Sequence, residues 1–227
     1  MSKQRICLKE RQLPDYTKGE EIFNMVTHIV GGAIGVATLV LCVVFSALRG
    51  SLSGVLCGTV FGASMILLYA TSSVYHGLRV NMAKKVFQIL DHCTIYLLIA
   101  GTYTPILICG MAPIDPWAAW ITFGVLWGLT ALAVTLTAID LSKYKVFSMI
   151  CYIAMGWAVI FSLKVAIAAL GYGGFALVLG GGLFYTGGVA FYGLGKKKRY
   201  FHSIFHLMTI FGSICHSLAV LFFVICK

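Results

Sequence analysis

Apolar runs of twenty or more residues follow one another along almost the whole chain, parted only by short polar stretches. The first extends from Ile22 to Leu48, and the others lie at about 53–78, 86–109, 117–138, 146–170, 173–194 and 200–226. A helix needs about 20 such residues to cross the hydrocarbon core of a bilayer. The runs therefore predict an all-α membrane protein, a bundle of seven transmembrane helices. The Ile22–Leu48 run is too long for the core of a signal peptide and has no evident cleavage site after it, so it reads as a retained span. With 227 residues, the chain divides into a basic tail (1–21) and one transmembrane domain (22–227), with no room for a second soluble domain.

Composition excludes the alternatives. Of the residues 60% are hydrophobic and 11% charged, against about 45–50% and 25% in soluble domains. That is too little charge to cover a soluble globule, and too much apolar content for a disordered chain. The eight cysteines form no CxxC pair and read as small buried side chains rather than a disulfide framework. Glycines crowd the sixth run, from Gly173 to Gly188. No strand precedes them to form a phosphate-cradling loop, and they suit close helix approach in lipid.

The net charge of +10, from 17 Lys and Arg against seven acids, would suggest nucleic acid in a soluble protein. Here the bases sit in short loops, and fourteen of them fall on one side of the seven-span map. These are Lys3, Arg5, Lys9, Arg11 and Lys18 in the tail, then Arg79, Lys84, Lys85, Lys143, Lys145, Lys196, Lys197, Lys198 and Arg199. Arg49 and Lys227 lie on the other side, and Lys164 near the outer end of span five. The positive-inside bias places the N-terminus in the cytosol and the C-terminus outside. The expected partners are membrane lipids, not nucleic acid; oligomeric state has no signature here.

Ionisable groups at membrane depth are costly, so each is a functional candidate. All six histidines fall within the predicted spans. His76 ends span two, Asp91 and His92 lie a short way into span three, and His202 and His206 begin span seven. At 1.5 Å per residue these groups share a layer within roughly 10 Å of the cytosolic boundary. His202 and His206 are four residues apart and share a helix face, which can present two imidazoles to one ion. Ser72 and His76 have the same spacing on span two. Three imidazoles and a water make an open zinc geometry. Without a helix-borne glutamate between the paired histidines, the general base must come from elsewhere, and Asp91 is the carboxylate at the right depth. His92 points about 100° away from Asp91. His216 lies roughly 15 Å beyond His206 along its helix, too far to share an ion, and suits an interhelical hydrogen bond. His28 stands at a depth that allows it to support a ligand. Glu20 and Glu21 suit the N-terminus of the first helix; Asp140 and Lys143 read as interfacial charge.

In this order, EEIFNMVTHIVGG (20–32), SSVYHG (72–77), LDHCTIYLLIAGTYTP (90–105) and FHSIFHLMTIFGSICH (201–216) resemble the haemolysin III family. That family is the bacterial branch of the progestin and adipoQ receptor family. The resemblance covers nearly all spans and implies seven helices in a bacterial cytoplasmic membrane with a zinc ion near the cytosolic face. It implies zinc ligation by His76, His202 and His206. It further implies that Asp91 contacts the water on the zinc and that Ser72 is the family's span-two serine. The long extra tail of the animal receptors is absent. The wider family is grouped with alkaline ceramidases, which implies a zinc-dependent hydrolase of a lipid amide or ester at the cytosolic leaflet. Two other readings stand beside it. One is a non-enzymatic membrane regulator or receptor with zinc as a staple. The other is the cytolytic pore of the family name, against which no span shows a clear polar stripe to line a channel.

Overall fold

The computed structural model describes residues 8–195 and 198–227. Among the residues named above, Lys3, Arg5, Lys196 and Lys197 lie outside that description, as does one of the eight cysteines, Cys7. The described residues form helices and connecting turns with no strand. Helix α1 spans Lys18–Leu48, α2 Leu52–Gly77, α3 Met82–Pro105 and α4 Pro116–Ile139; then follow α5 (Lys145–Gly156), α6 (Leu163–Leu194) and α7 (Phe201–Val220).

Helix starts follow local chemistry. Thr17 caps α1 through a capping box, its hydroxyl accepting from the Glu20 N–H while the Glu20 carboxylate accepts the Thr17 N–H at 2.9 Å. Ser51, Asn81 and Asp115 cap α2, α3 and α4 by accepting the N–H three residues on, and Pro116 sits where a missing N–H costs nothing. Pro105 ends the regular ladder of α3. Its ring supplies no N–H, and the chain continues as a wider π-helical turn over Ile106–Met111.

Among the described residues, six helical stretches are long and apolar enough to cross a membrane. The fifth runs from Lys145 to Leu194, 50 residues, or about 75 Å if straight. It is not straight. A 3-10 turn at Ala158–Ser162 separates α5 from α6, and Gly171 (φ 65°, ψ 172°) breaks α6 in a region of backbone space that side chains disfavour. The runs at 146–170 and 173–194 thus meet at that glycine.

Burial follows membrane logic. Phe161, Trp117 and Leu56 face outward, while the buried stripe of α1 holds no large apolar residue: Glu20, Asn24, His28, Gly31, Gly35, Thr38, Cys42 and Ser46. The stripe packs on α2 and α7 rather than lining a channel. A Cβ at Gly62 would lie 2.6 Å from Leu39 Cα, so α1 and α2 approach at backbone range. Gly174, Gly181 and Gly188 of α6, seven apart, face α7 or the Phe223 ring just beyond it.

The N-terminal ends of α1, α3 and α7 and the C-terminal end of α2 gather at one end of the bundle. The Glu20 carboxylate accepts the N–H of Tyr200, which precedes α7 in a left-handed conformation (φ 61°). The tail crosses the same end, with Lys85 Nζ donating to the Lys9 carbonyl.

Candidate metal centre

His76, from the last turn of α2, and His202 and His206, from the first turns of α7, are all buried and bring one ring nitrogen each within 4.8 Å of the others. The four-residue spacing holds the α7 pair close, with the two Nε2 atoms 3.0 Å apart. A tetrahedral ion with bonds of about 2.0–2.1 Å requires neighbouring nitrogens about 3.3 Å apart. The donor set could hold a metal ion. It joins α2 to α7.

The orientation of His76 has a cause that the sequence reading did not include. Its Nδ1–H donates to Glu21 Oε2 at 2.6 Å, which leaves Nε2 bare, and that atom has no hydrogen-bond partner among the described residues. A carboxylate behind a metal-ligating imidazole fixes both its tautomer and its direction. Glu21 is fixed in turn. Its Oε1 accepts from Lys84 Nζ at 2.8 Å, and the buried ammonium also donates to the Tyr75 and Leu78 carbonyls, so its three protons are used. Glu21 was expected only to favour the start of α1, and Lys84 to be a loop charge; both are parts of the site.

Tyr16, ahead of α1, closes the end of the cluster. Its ring stacks on His202 with centroids 4.8 Å apart. Burial, then the nearby Tyr75, Tyr192, Glu21 and Asp91, push its phenol up from the ordinary value and keep it neutral.

Asp91 lines a largely apolar cavity together with His202. The cavity continues past Tyr152 and Phe205 to Trp157 and His216, roughly 20 Å along α7. Ser72, one turn before His76, is buried with no partner for its hydroxyl. His92 stands on the same cavity wall, its Nδ1–H donating to the Gln88 carbonyl and its ring 3.9 Å from the Asp91 carboxylate. His216 Nε2–H donates to the Val178 carbonyl of α6, the interhelical bond expected of it. His28 lies against the cluster, its ring centroid 3.8 Å from that of His206. Asp140 caps the turn before α5, accepting from the Ser142 and Lys143 N–H groups.

Replacing Glu21 by Gln removes the charge behind His76 and leaves the Lys84 ammonium buried without its anion. Metal affinity should fall about 10–100-fold, with a lower melting temperature. Metal-buffer titration of the purified variant reads the first effect and thermal unfolding the second.

A family model described as haemolysin-III related matches residues 16–217. A Bacillus cereus protein named Hemolysin-3 is 36% identical over 207 residues, covering 91% of this chain and 92% of that protein. The Hemolysin-3 homolog of Bacillus subtilis is 34% identical over 208 residues, covering 92% and 96%. The human monocyte to macrophage differentiation factor is 26% identical over 169 residues, covering 71% of this chain and 67% of that protein.

Proposed function

The chain belongs to the haemolysin-III-related family, and from that premise we propose that it is a zinc-dependent hydrolase of a lipid amide or ester. We further propose that it works from the cytosolic leaflet of a bacterial cytoplasmic membrane. The observation that carries this reading is a buried three-histidine cluster of which one member, His202, lines a long apolar cavity whose wall also presents the Asp91 carboxylate.

In this reading His76, His202 and His206 hold the ion, and the bound ion would supply Lewis acidity and a more acidic water. The chain supplies the rest. Glu21 keeps Nε2 of His76 bare. The cavity shelters a lipid chain from water. Asp91 takes a proton from the attacking water and returns it to the leaving amine or alcohol. Ser72 adds a hydroxyl on the His76 face of α2. Purified protein in lipid discs, given a panel of lipid amides and esters with and without a chelator, tests this directly. Metal-dependent release of fatty acid is expected; no release from any member would contradict it.

A second reading has its own observation: the cluster bridges α2 and α7, as a staple in a non-enzymatic regulator would. Such a protein would lose stability on chelation and show no turnover. A cytolytic pore is less well supported, because the polar stripe of α1 is packed against its neighbours.

The topology proposed is seven crossings, with the Lys145–Leu194 stretch passing twice around Gly171, the N-terminus in the cytosol and the C-terminus outside. Fourteen of 17 bases then share the cytosolic side. Reporter fusions at Gly50, Asp115 and Gly171 should read outside, and fusions at Met82 and Ser142 inside. The inverse pattern would move the histidines to the outer leaflet.

A further inference from the structure

The face of α1 that carries Glu21 continues at Asn24 and His28, three and seven residues on. Both ends of that stretch touch the metal cluster, Glu21 through its bond to His76 and His28 through its packing on His206. Asn24 lies between them, completely buried. Among the described residues, neither polar atom of Asn24 and neither ring nitrogen of His28 has a hydrogen-bond partner. The hydroxyl of Ser203, on the first turn of α7, is buried and unpartnered as well. Buried amides and imidazoles are normally bonded, and a membrane interior offers no bulk water to substitute.

The ion does not account for these atoms, because the nitrogens that converge come from His76, His202 and His206. Each group has an acceptor atom besides, but the Asn24 NH2 and the one N–H of a neutral His28 are donors that no cation can satisfy. These two donors, one turn apart on the face of α1 that meets the cluster, suit an oxygen that gains negative charge. We propose that Asn24 and His28 form a recess for the carbonyl oxygen of the substrate and for the oxyanion it becomes. This inference rests on the hydrolase reading above. As water attacks, a C–O bond forms and the carbonyl π pair moves to that oxygen, which accepts from Asn24 Nδ2–H and the His28 N–H. The proton lost by water goes to Asp91. When the oxyanion collapses, the bond to the amine or alkoxide breaks and the leaving group takes the proton from Asp91. Donors aimed at a developing oxyanion are among the largest contributions to such reactions.

The test uses Asn24→Leu, His28→Phe and His28→Gln in the full-length, zinc-loaded protein. Since the replaced groups bond to nothing among the described residues, apolar substitutes of similar outline should fold. Dodecylphosphonate, a tetrahedral oxyanion with a lipid chain, serves as the probe, and metal content is measured on the same samples. The expected result is full zinc, phosphonate affinity lowered about 10–100-fold in Asn24→Leu and His28→Phe with partial recovery in His28→Gln, and kcat lowered about 10²–10³-fold. Unchanged phosphonate affinity in both apolar variants, or absence of phosphonate binding by the unaltered protein, would overturn the recess. So would zinc loss in a folded His28→Phe, which would make His28 a ligand. Phosphonate binding that depends on Asn24 in a protein that turns over no lipid would leave the recess standing and remove the hydrolase.

Discussion

Asp91→Asn should retain its zinc and its fold while losing about 10²–10⁴-fold in hydrolytic rate, the usual contribution of a positioned general base. The substitution keeps the shape of the side chain and removes its charge. Asp91 is outside the three-histidine cluster, so the metal should not depend on it; it faces the cavity that His202 also lines. In a protein where the ion is only a staple, the same change would leave no rate to lose and would barely alter stability. Zinc content and product release measured on one preparation separate these outcomes. A variant that holds zinc and turns over at the normal rate would remove Asp91 as the base.

Chelation should lower the melting temperature of the unaltered protein and leave His76→Ala nearly unmoved. An ion that binds only the folded chain stabilises it by about 4 kcal/mol at a free concentration a thousandfold above Kd, which corresponds to roughly 10 °C for a chain of this size. The reason is geometric: His76 comes from α2 and its partners from α7, so the ion ties together helices far apart in sequence. Thermal unfolding with and without chelator reads the difference. An equal drop in the variant would mean that the stabilising ion sits elsewhere.

The helical membrane fold was legible because hydropathy reports lipid contact directly, residue by residue. The partition of Lys145–Leu194 was legible only as two apolar runs. The 3-10 turn at Ala158–Ser162 has no Pro or Gly inside it to announce it, and Gly171 is one glycine among many. At the site, His202 and His206 were readable from their spacing on one helix, and the shared depth of His76 and Asp91 from the charge map. Glu21 was not. An acid in the first turn of a helix has an ordinary explanation in the helix dipole, and nothing local says that α2 ends beside it. Lys84 was hidden in the same way, since a lysine after a span counts as a topology signal until a carboxylate is found against it. The periodicity of Glu21, Asn24 and His28, three polar groups on one face of an apolar helix, was the available clue to the α1 side of the site. It gains meaning only when α2 and α7 are placed against that face.

The most direct test of the account is elemental analysis of the purified protein alongside the His76→Ala variant and the His202→Ala, His206→Ala double variant. The account predicts close to one zinc per chain in the unaltered protein, reduced occupancy in the single variant, and almost none in the double variant, because one imidazole with water does not hold zinc tightly. Full occupancy in a folded double variant, or an unaltered protein that takes up no metal, would contradict it.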